Sequence, residues 1–217
     1  MDETSRDAAQ APTFDTAAAV TRSLLGWGVV AGPLYLGVGL ALALTRDGFD
    51  LAEHQLSLLM LGDGGWMQRA NLALSGVLVL VAAVGVRRAA DARRTRAAAW
   101  MVGVMAVGLL GSAAFPPDPM AGFPPGAAET TTVGGTLHLV LGLVTFGAAG
   151  AAALTFPARW STLVGVVILA GFLGGAVLAT SAAGVALLWV AVVASYAWLA
   201  AASVVLYRRV PHPDGTR

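Results

Sequence analysis

The sequence predicts an all-α membrane protein, a six-helix transmembrane bundle with both termini in the cytoplasm. Apolar residues make up 57% of the 217 residues and charged residues only 12%, whereas soluble domains hold roughly 45–50% and about 25%. Six apolar segments approach or exceed the roughly 20 residues that a helix needs to cross a bilayer. The basic residues are also distributed unevenly between the two sides of these segments, which predicts the orientation.

The six predicted spans are separated by two long loops and three short ones. We place them at residues 24–44, 70–86, 97–115, 133–155, 162–180 and 184–207. The stretch "TSAAG" between the last two spans predicts a tight hairpin, because the combined apolar run is about twice one bilayer span.

The segments outside the spans are predicted to be tails. Residues 1–22 lack a basic region ahead of an apolar run, so they are typical of a disordered cytoplasmic tail and not of a signal peptide. The six-span membrane domain then covers residues 23–207, and residues 208–217 form a second cytoplasmic tail.

All 13 basic residues are Arg, and eleven of them lie on the side of the bundle that carries the termini. Cytoplasmic loops carry such an excess, so we expect a multi-pass protein of the cell (plasma) membrane with the two long loops outside. The net charge of +1 gives no basic face for nucleic acid. The expected partners are membrane lipids, together with a partner membrane protein or a second copy of the chain in a homo-oligomer.

The first outer loop, "DLAEHQLSLLMLGDGGWMQR", collects polar residues between two apolar blocks. Residues 51–61 are too short to span the membrane and predict a short interfacial or re-entrant helix, with His54, Ser57 and Leu61 on one face. The glycines of residues 62–65 should end this helix. In the span that follows, Asn71 and Ser75 lie one turn apart on the same side.

His138 is the one ionisable side chain expected inside the membrane region. Such groups are costly in lipid and usually face a bundle interior or a wet cavity. Asp118 in "FPPDP", His54 and Glu53 are expected at the same depth. We therefore predict an outward-facing polar pocket whose candidate residues are His54, Ser57, Asn71, Asp118 and His138.

The order of the short motifs resembles the domain-of-unknown-function 998 family of bacterial and archaeal membrane proteins. The resemblance covers about residues 24–207 and rests on His54 and Ser57, on the pattern of Phe115, Pro116 and Asp118, and on Gly135 with His138. It implies an integral membrane protein of this topology, and it carries no established activity.

Two functions are consistent with the predicted pocket. The first is a polytopic ligand-binding or accessory protein of unknown activity. The second is a metal-dependent hydrolase acting on a lipid of the outer leaflet, in which His54 and His138 with Asp118 or Glu53 hold zinc and leave one position for water. The chain has no Cys, so thiolate ligands and thiol catalysis are excluded.

Each histidine also has a structural interpretation. His138 would hydrogen-bond Asp118 or a backbone carbonyl and so join two helices, while His54 would be a solvated loop residue.

Overall fold

A computed structural model describes residues 14–215, and in this part of the chain it contains six long α-helices and one short 3-10 helix. The six α-helices are each long and apolar enough to cross a membrane, which confirms the all-α six-span prediction. They are α1 (Thr16–Thr45), α2 (Gly65–Arg88), α3 (Arg93–Ala114), α4 (Val133–Thr155), α5 (Arg159–Val177) and α6 (Ala182–Tyr207).

The helices form an antiparallel ring. Each helix packs against its neighbours in the chain, and α6 closes the ring by packing against α1. Contacts across the ring are few, so the centre of the bundle is not filled by a helix. We call the end with residues 46–64, 115–132 and 178–181 the loop end, and the opposite end, where α1 begins and α6 ends, the termini end.

The first helix starts earlier than the sequence indicated. Residues 1–13 of the predicted tail lie outside the described residues, but the chain from Thr16 onward is helical. Asp15 caps this helix, because its carboxylate accepts a hydrogen bond from the Ala18 N–H at 2.9 Å. Arg22 then stacks on the ring of Tyr207, 3.9 Å from its centroid. The predicted 1–22 tail was therefore too long, because a cap and an α6 contact extend α1.

The short helix in the first long loop is also smaller than predicted. It is a 3-10 helix over Leu56–Met60, whose Leu58, Leu59 and Met60 are buried. His54 precedes it, so His54, Ser57 and Leu61 do not share one helical face. The reason is local: the Asp50 carboxylate accepts from the Ala52 N–H at 2.7 Å and holds the preceding residues in a turn.

The helices are in close contact at the termini end. A Cβ on Gly165 would lie 3.0 Å from the Gly150 carbonyl oxygen, so α4 and α5 are in close backbone contact there. The Trp198 indole N–H donates to Ser161 Oγ at 2.6 Å, which ties α6 to α5 at the same end. The space at the centre of the ring lies in the loop-end half, where the residues that line it are found.

Candidate functional site

A cavity of about 410 Å³ lies inside the ring, in the loop-end half of the bundle. All six helices contribute to its lining, which is mainly apolar. The side chains in the lining that carry polar groups are those of Tyr35, Gln55, Ser57, Ser112, His138, Thr145, Trp189, Ser195 and Tyr196. A concave apolar site with a few placed polar groups is the usual form of a small-molecule site.

The two long loops cover the loop end of this cavity. Gln55, Leu56 and Ser57 come from the first loop, and Pro117 and Met120 come from the second. We call these five residues the roof. Leu56 and Pro117 are buried, so the roof is packed on both sides.

His54 joins the two loops that carry the roof. Its Nδ1 accepts from the Asp50 N–H at 2.8 Å, and its Nε2 donates to the Ala121 carbonyl at 3.0 Å. Its ring also packs against Phe49 and Phe123, with centroid distances of 5.2 and 5.4 Å. His54 is only 4% exposed, so its interpretation as a solvated loop residue was wrong. The loop is held by a histidine whose two nitrogens are both in hydrogen bonds with the backbone.

His138 joins the end of α3 to α4. Its Nδ1 lies 2.7 Å from the Phe115 carbonyl oxygen and 3.3 Å from that of Ser112. The helix-joining interpretation with a backbone carbonyl is therefore the arrangement present, while the predicted hydrogen bond to Asp118 is not formed. The ring is half-buried and lines the cavity.

Asp118 instead binds Thr132, the N-cap residue of α4. Its carboxylate accepts from the Thr132 N–H at 2.9 Å and from the Thr132 hydroxyl at 2.6 Å. Both hydrogen bonds lower the pKa of Asp118 below its usual value. The Thr132 hydroxyl in turn accepts from the Gly135 N–H at 3.0 Å. A Cβ at Gly135 would collide with the Asp118 carboxylate, so the close approach of Asp118 requires glycine there.

The other candidates are dispersed. Ser57 is half-buried and lines the cavity, whereas Glu53 is exposed on the loop. Asn71 is buried between α1 and α2, where its side-chain amide donates to the Tyr35 carbonyl at 3.0 Å. Of the five pocket candidates, Ser57 and His138 thus reach the cavity.

The ligands predicted for zinc are not brought together. No three His, Asp or Glu side chains within residues 14–215 are placed to hold a metal ion. Both nitrogens of His54 are engaged by the backbone, and both carboxylate oxygens of Asp118 are engaged by Thr132. These partners turn the predicted ligands away from a shared centre.

The sequence analysis did not identify a second cluster of polar side chains, which lies in the wall of the cavity. Tyr35 on α1 and Tyr196 on α6 stack in the cavity wall at a centroid distance of 5.3 Å. The Tyr196 hydroxyl hydrogen-bonds Ser75, and Gln68 donates to the Tyr35 hydroxyl at 3.5 Å. The spacing of Gln68, Asn71 and Ser75 on one face of α2 carried this signal, but only the last two were recognised.

The cavity reaches the surface of the bundle between α4 and α5. Leu139, Leu143 and Leu173 line it and are at the same time 53–68% exposed. Toward the termini end this side is closed, because the rings of Phe146 and Phe172 stack at 4.7 Å. In a membrane, the exposed leucines would face the hydrocarbon chains of lipid.

The comparisons with known proteins agree with the fold and give no activity. The family model described as "Protein of unknown function (DUF998)" matches residues 29–205. Comparison with curated proteins and with solved structures gave no match. Because the family model covers most of the chain, this polytopic membrane protein belongs to the DUF998 family.

Proposed function

We propose that the protein binds one amphipathic molecule, taken from the membrane, in the central cavity, and that it acts as a ligand-binding or accessory protein. The observation that carries the proposal is the mainly apolar cavity of about 410 Å³ with a small set of polar groups in its lining. A volume in this range suits a small ligand or part of a lipid. Burial of an apolar chain there is favourable, because it fills space that the six helices leave empty.

The form of the cavity supports a ligand from the bilayer more than a solute from water. The roof covers the loop end, and His54 fastens the two loops to each other. The lining leucines between α4 and α5 are exposed on the side of the bundle. If the termini are cytoplasmic, as the Arg distribution predicts, this side opening faces the outer leaflet of the plasma membrane.

A pair of matched substitutions on α4 tests the proposal. Gly142 lines the cavity and Gly147 does not, and an added Cβ meets no atom within 4 Å at either position. Gly142→Phe should therefore fill the cavity without breaking helix packing, while Gly147→Phe places the same side chain elsewhere on the helix.

The measurement is the amount of lipid that remains bound to the purified protein after repeated detergent exchange, determined by mass spectrometry of solvent extracts. We expect the unmodified protein and Gly147→Phe to retain equal amounts and Gly142→Phe to lose most of it. The lipid should also raise the melting temperature of the first two proteins only, because a ligand of the folded state stabilises it. Equal lipid in all three proteins would contradict the proposal.

A further inference from the structure

The lining of the cavity carries no side chain with a fixed charge. Apart from the two tyrosines, His138 is the ionisable residue among the lining positions in the described part of the chain. A phosphate or ammonium group inside this space would have no opposite charge to pair with, and unpaired charge at membrane depth is costly. The part of a ligand that enters the cavity is therefore uncharged.

The free nitrogen of His138 selects one kind of polar group. The two atoms next to Nδ1 are carbonyl oxygens, at 2.7 and 3.3 Å, and carbonyls only accept hydrogen bonds. Nδ1 must then carry the hydrogen. In an uncharged ring, which is expected at membrane depth, Nε2 is an acceptor.

Within residues 14–215, Nε2 of His138 has no hydrogen-bond partner, although the ring lines the cavity. His54 provides the contrast, since both of its nitrogens are bonded to backbone groups. A ligand that donates a hydrogen bond to Nε2 would satisfy the second ring nitrogen of His138. Among uncharged lipid groups, a hydroxyl is such a donor, whereas an ether or ester is not.

The opening between α4 and α5 shows where the rest of such a ligand would lie. Gly142 leaves the α4 wall of the cavity without a side chain, four residues beyond His138. The exposed leucines Leu139, Leu143 and Leu173 border the same space. A hydrocarbon chain that starts at His138 has an apolar path from there into the bilayer.

We propose that the cavity takes an uncharged lipid alcohol, whose hydroxyl donates to Nε2 of His138 and whose chain extends between α4 and α5. This inference rests on the proposed ligand-binding function and adds the chemical class of the ligand and its orientation.

The test compares two probes, 1-hexadecanol and its methyl ether 1-methoxyhexadecane, which lacks the O–H donor and carries one more methyl group. Binding to the full-length protein in nanodiscs is measured for each probe and corrected for its partition into protein-free nanodiscs. We expect the alcohol to bind about 2- to 10-fold more tightly than the ether, which is the range for one net hydrogen bond.

A substitution of His138 tests whether the preference for the alcohol depends on Nε2. His138→Asn retains a side-chain N–H for the Phe115 carbonyl, and its shorter side chain has no atom at the position of Nε2, since its one acceptor, Oδ1, lies on the same carbon as that N–H. The alcohol-to-ether ratio should fall to about one in this variant, as expected when one hydrogen bond is removed. Because it is a ratio, it is insensitive to any general loss of affinity.

The possible results separate this inference from the proposed function. An equal affinity for alcohol and ether in the unmodified protein, a preference that persists in His138→Asn, or no binding of either probe would overturn the lipid-alcohol inference. The first of these comparisons needs no variant, so it holds even if His138→Asn does not fold. The ligand-binding proposal falls only if Gly142→Phe and Gly147→Phe retain equal lipid.

Discussion

Two seams at the loop end of the bundle are each built on a histidine, and they differ in what the histidine leaves free. In the roof seam, His54 joins the first long loop to the second and uses both ring nitrogens for backbone groups. In the helix seam, His138 joins α3 to α4 through Nδ1 alone. The roof seam is complete without a ligand, whereas the helix seam leaves one acceptor beside a cavity. The comparison shows that the number of satisfied nitrogens, and not burial alone, separates a structural histidine from a candidate binding group.

The largest effect should come from breaking the roof seam. His54→Ala leaves the Asp50 N–H and the Ala121 carbonyl without their partner and removes a buried ring that packs against Phe49 and Phe123. We expect the free energy of unfolding to fall by about 2 to 4 kcal/mol. Equilibrium unfolding in mixed micelles measures this change.

The neighbouring Glu53 provides the control, because its side chain is exposed on the same loop. Glu53→Ala should change the free energy of unfolding by no more than about 0.5 kcal/mol. Equal effects of the two substitutions would show that the roof seam does not depend on the His54 hydrogen bonds.

The fold was largely predictable because the thickness of the bilayer sets the length and the apolar composition of each spanning helix. The span over residues 133–155 coincides with α4, and residue 207 ends α6 as predicted. The start of α1 was placed too late, because Asp15 caps the helix through its own side chain and Arg22 reaches Tyr207 on a helix distant in sequence. A hydropathy profile of the sequence reports neither of these contacts.

The site was predictable as a set of residues but not as an arrangement. Sequence reasoning placed His54, Asp118 and His138 at one depth, and all three do lie at or next to the loop end. It could not predict their hydrogen-bond partners, because these partners are backbone groups. His54 bonds the Ala121 carbonyl and His138 bonds the Phe115 carbonyl. Backbone carbonyls are present at every residue and leave no signature in the sequence. For the same reason, sequence reasoning did not foresee that backbone groups and Thr132 occupy atoms that the zinc hypothesis requires.

A smaller effect should come from Asp118, which binds Thr132 at the start of α4. Hydrogen bonds from Thr132 lower the pKa of Asp118 in the folded protein, so the ionised carboxylate favours folding. This contribution is fully present above the usual Asp pKa of about 3.9 and is lost as the pH falls through the lower folded-state value. Protein stability should consequently decrease on acidification below about pH 4.

Asp118→Asn isolates this contribution, because the amide does not titrate in that range. The melting temperature of the variant should lie below that of the unmodified protein near neutral pH, and the difference should narrow as the pH falls below about 4. Melting curves at a series of pH values in the same detergent measure it. A difference that stays constant with pH would show that the Asp118 carboxylate contributes nothing through its charge.

The smallest effect on stability is expected from cysteine substitutions that test which side of the membrane the loop end faces. The chain contains no Cys, so one introduced cysteine reports its own position. Ala92 is exposed at the termini end and Ala127 is exposed at the loop end. Ala127 is preferable to its neighbour Gly126, whose φ of +78° would strain any other residue. Because both are exposed alanines, cysteine at either position should change stability by no more than about 0.5 kcal/mol.

A membrane-impermeant maleimide should label Ala127→Cys in intact cells and Ala92→Cys only after the membrane is permeabilised. The reason is the Arg excess at the termini end, which favours the cytoplasm. The unmodified protein should not be labelled. Only α3 lies between the two positions. Labelling of both cysteines from outside would therefore contradict the prediction that α3 crosses the membrane. Labelling of Ala92→Cys alone would reverse the bundle and place the roof, His138 and the opening between α4 and α5 at the cytoplasmic leaflet, so the ligand would then come from that leaflet.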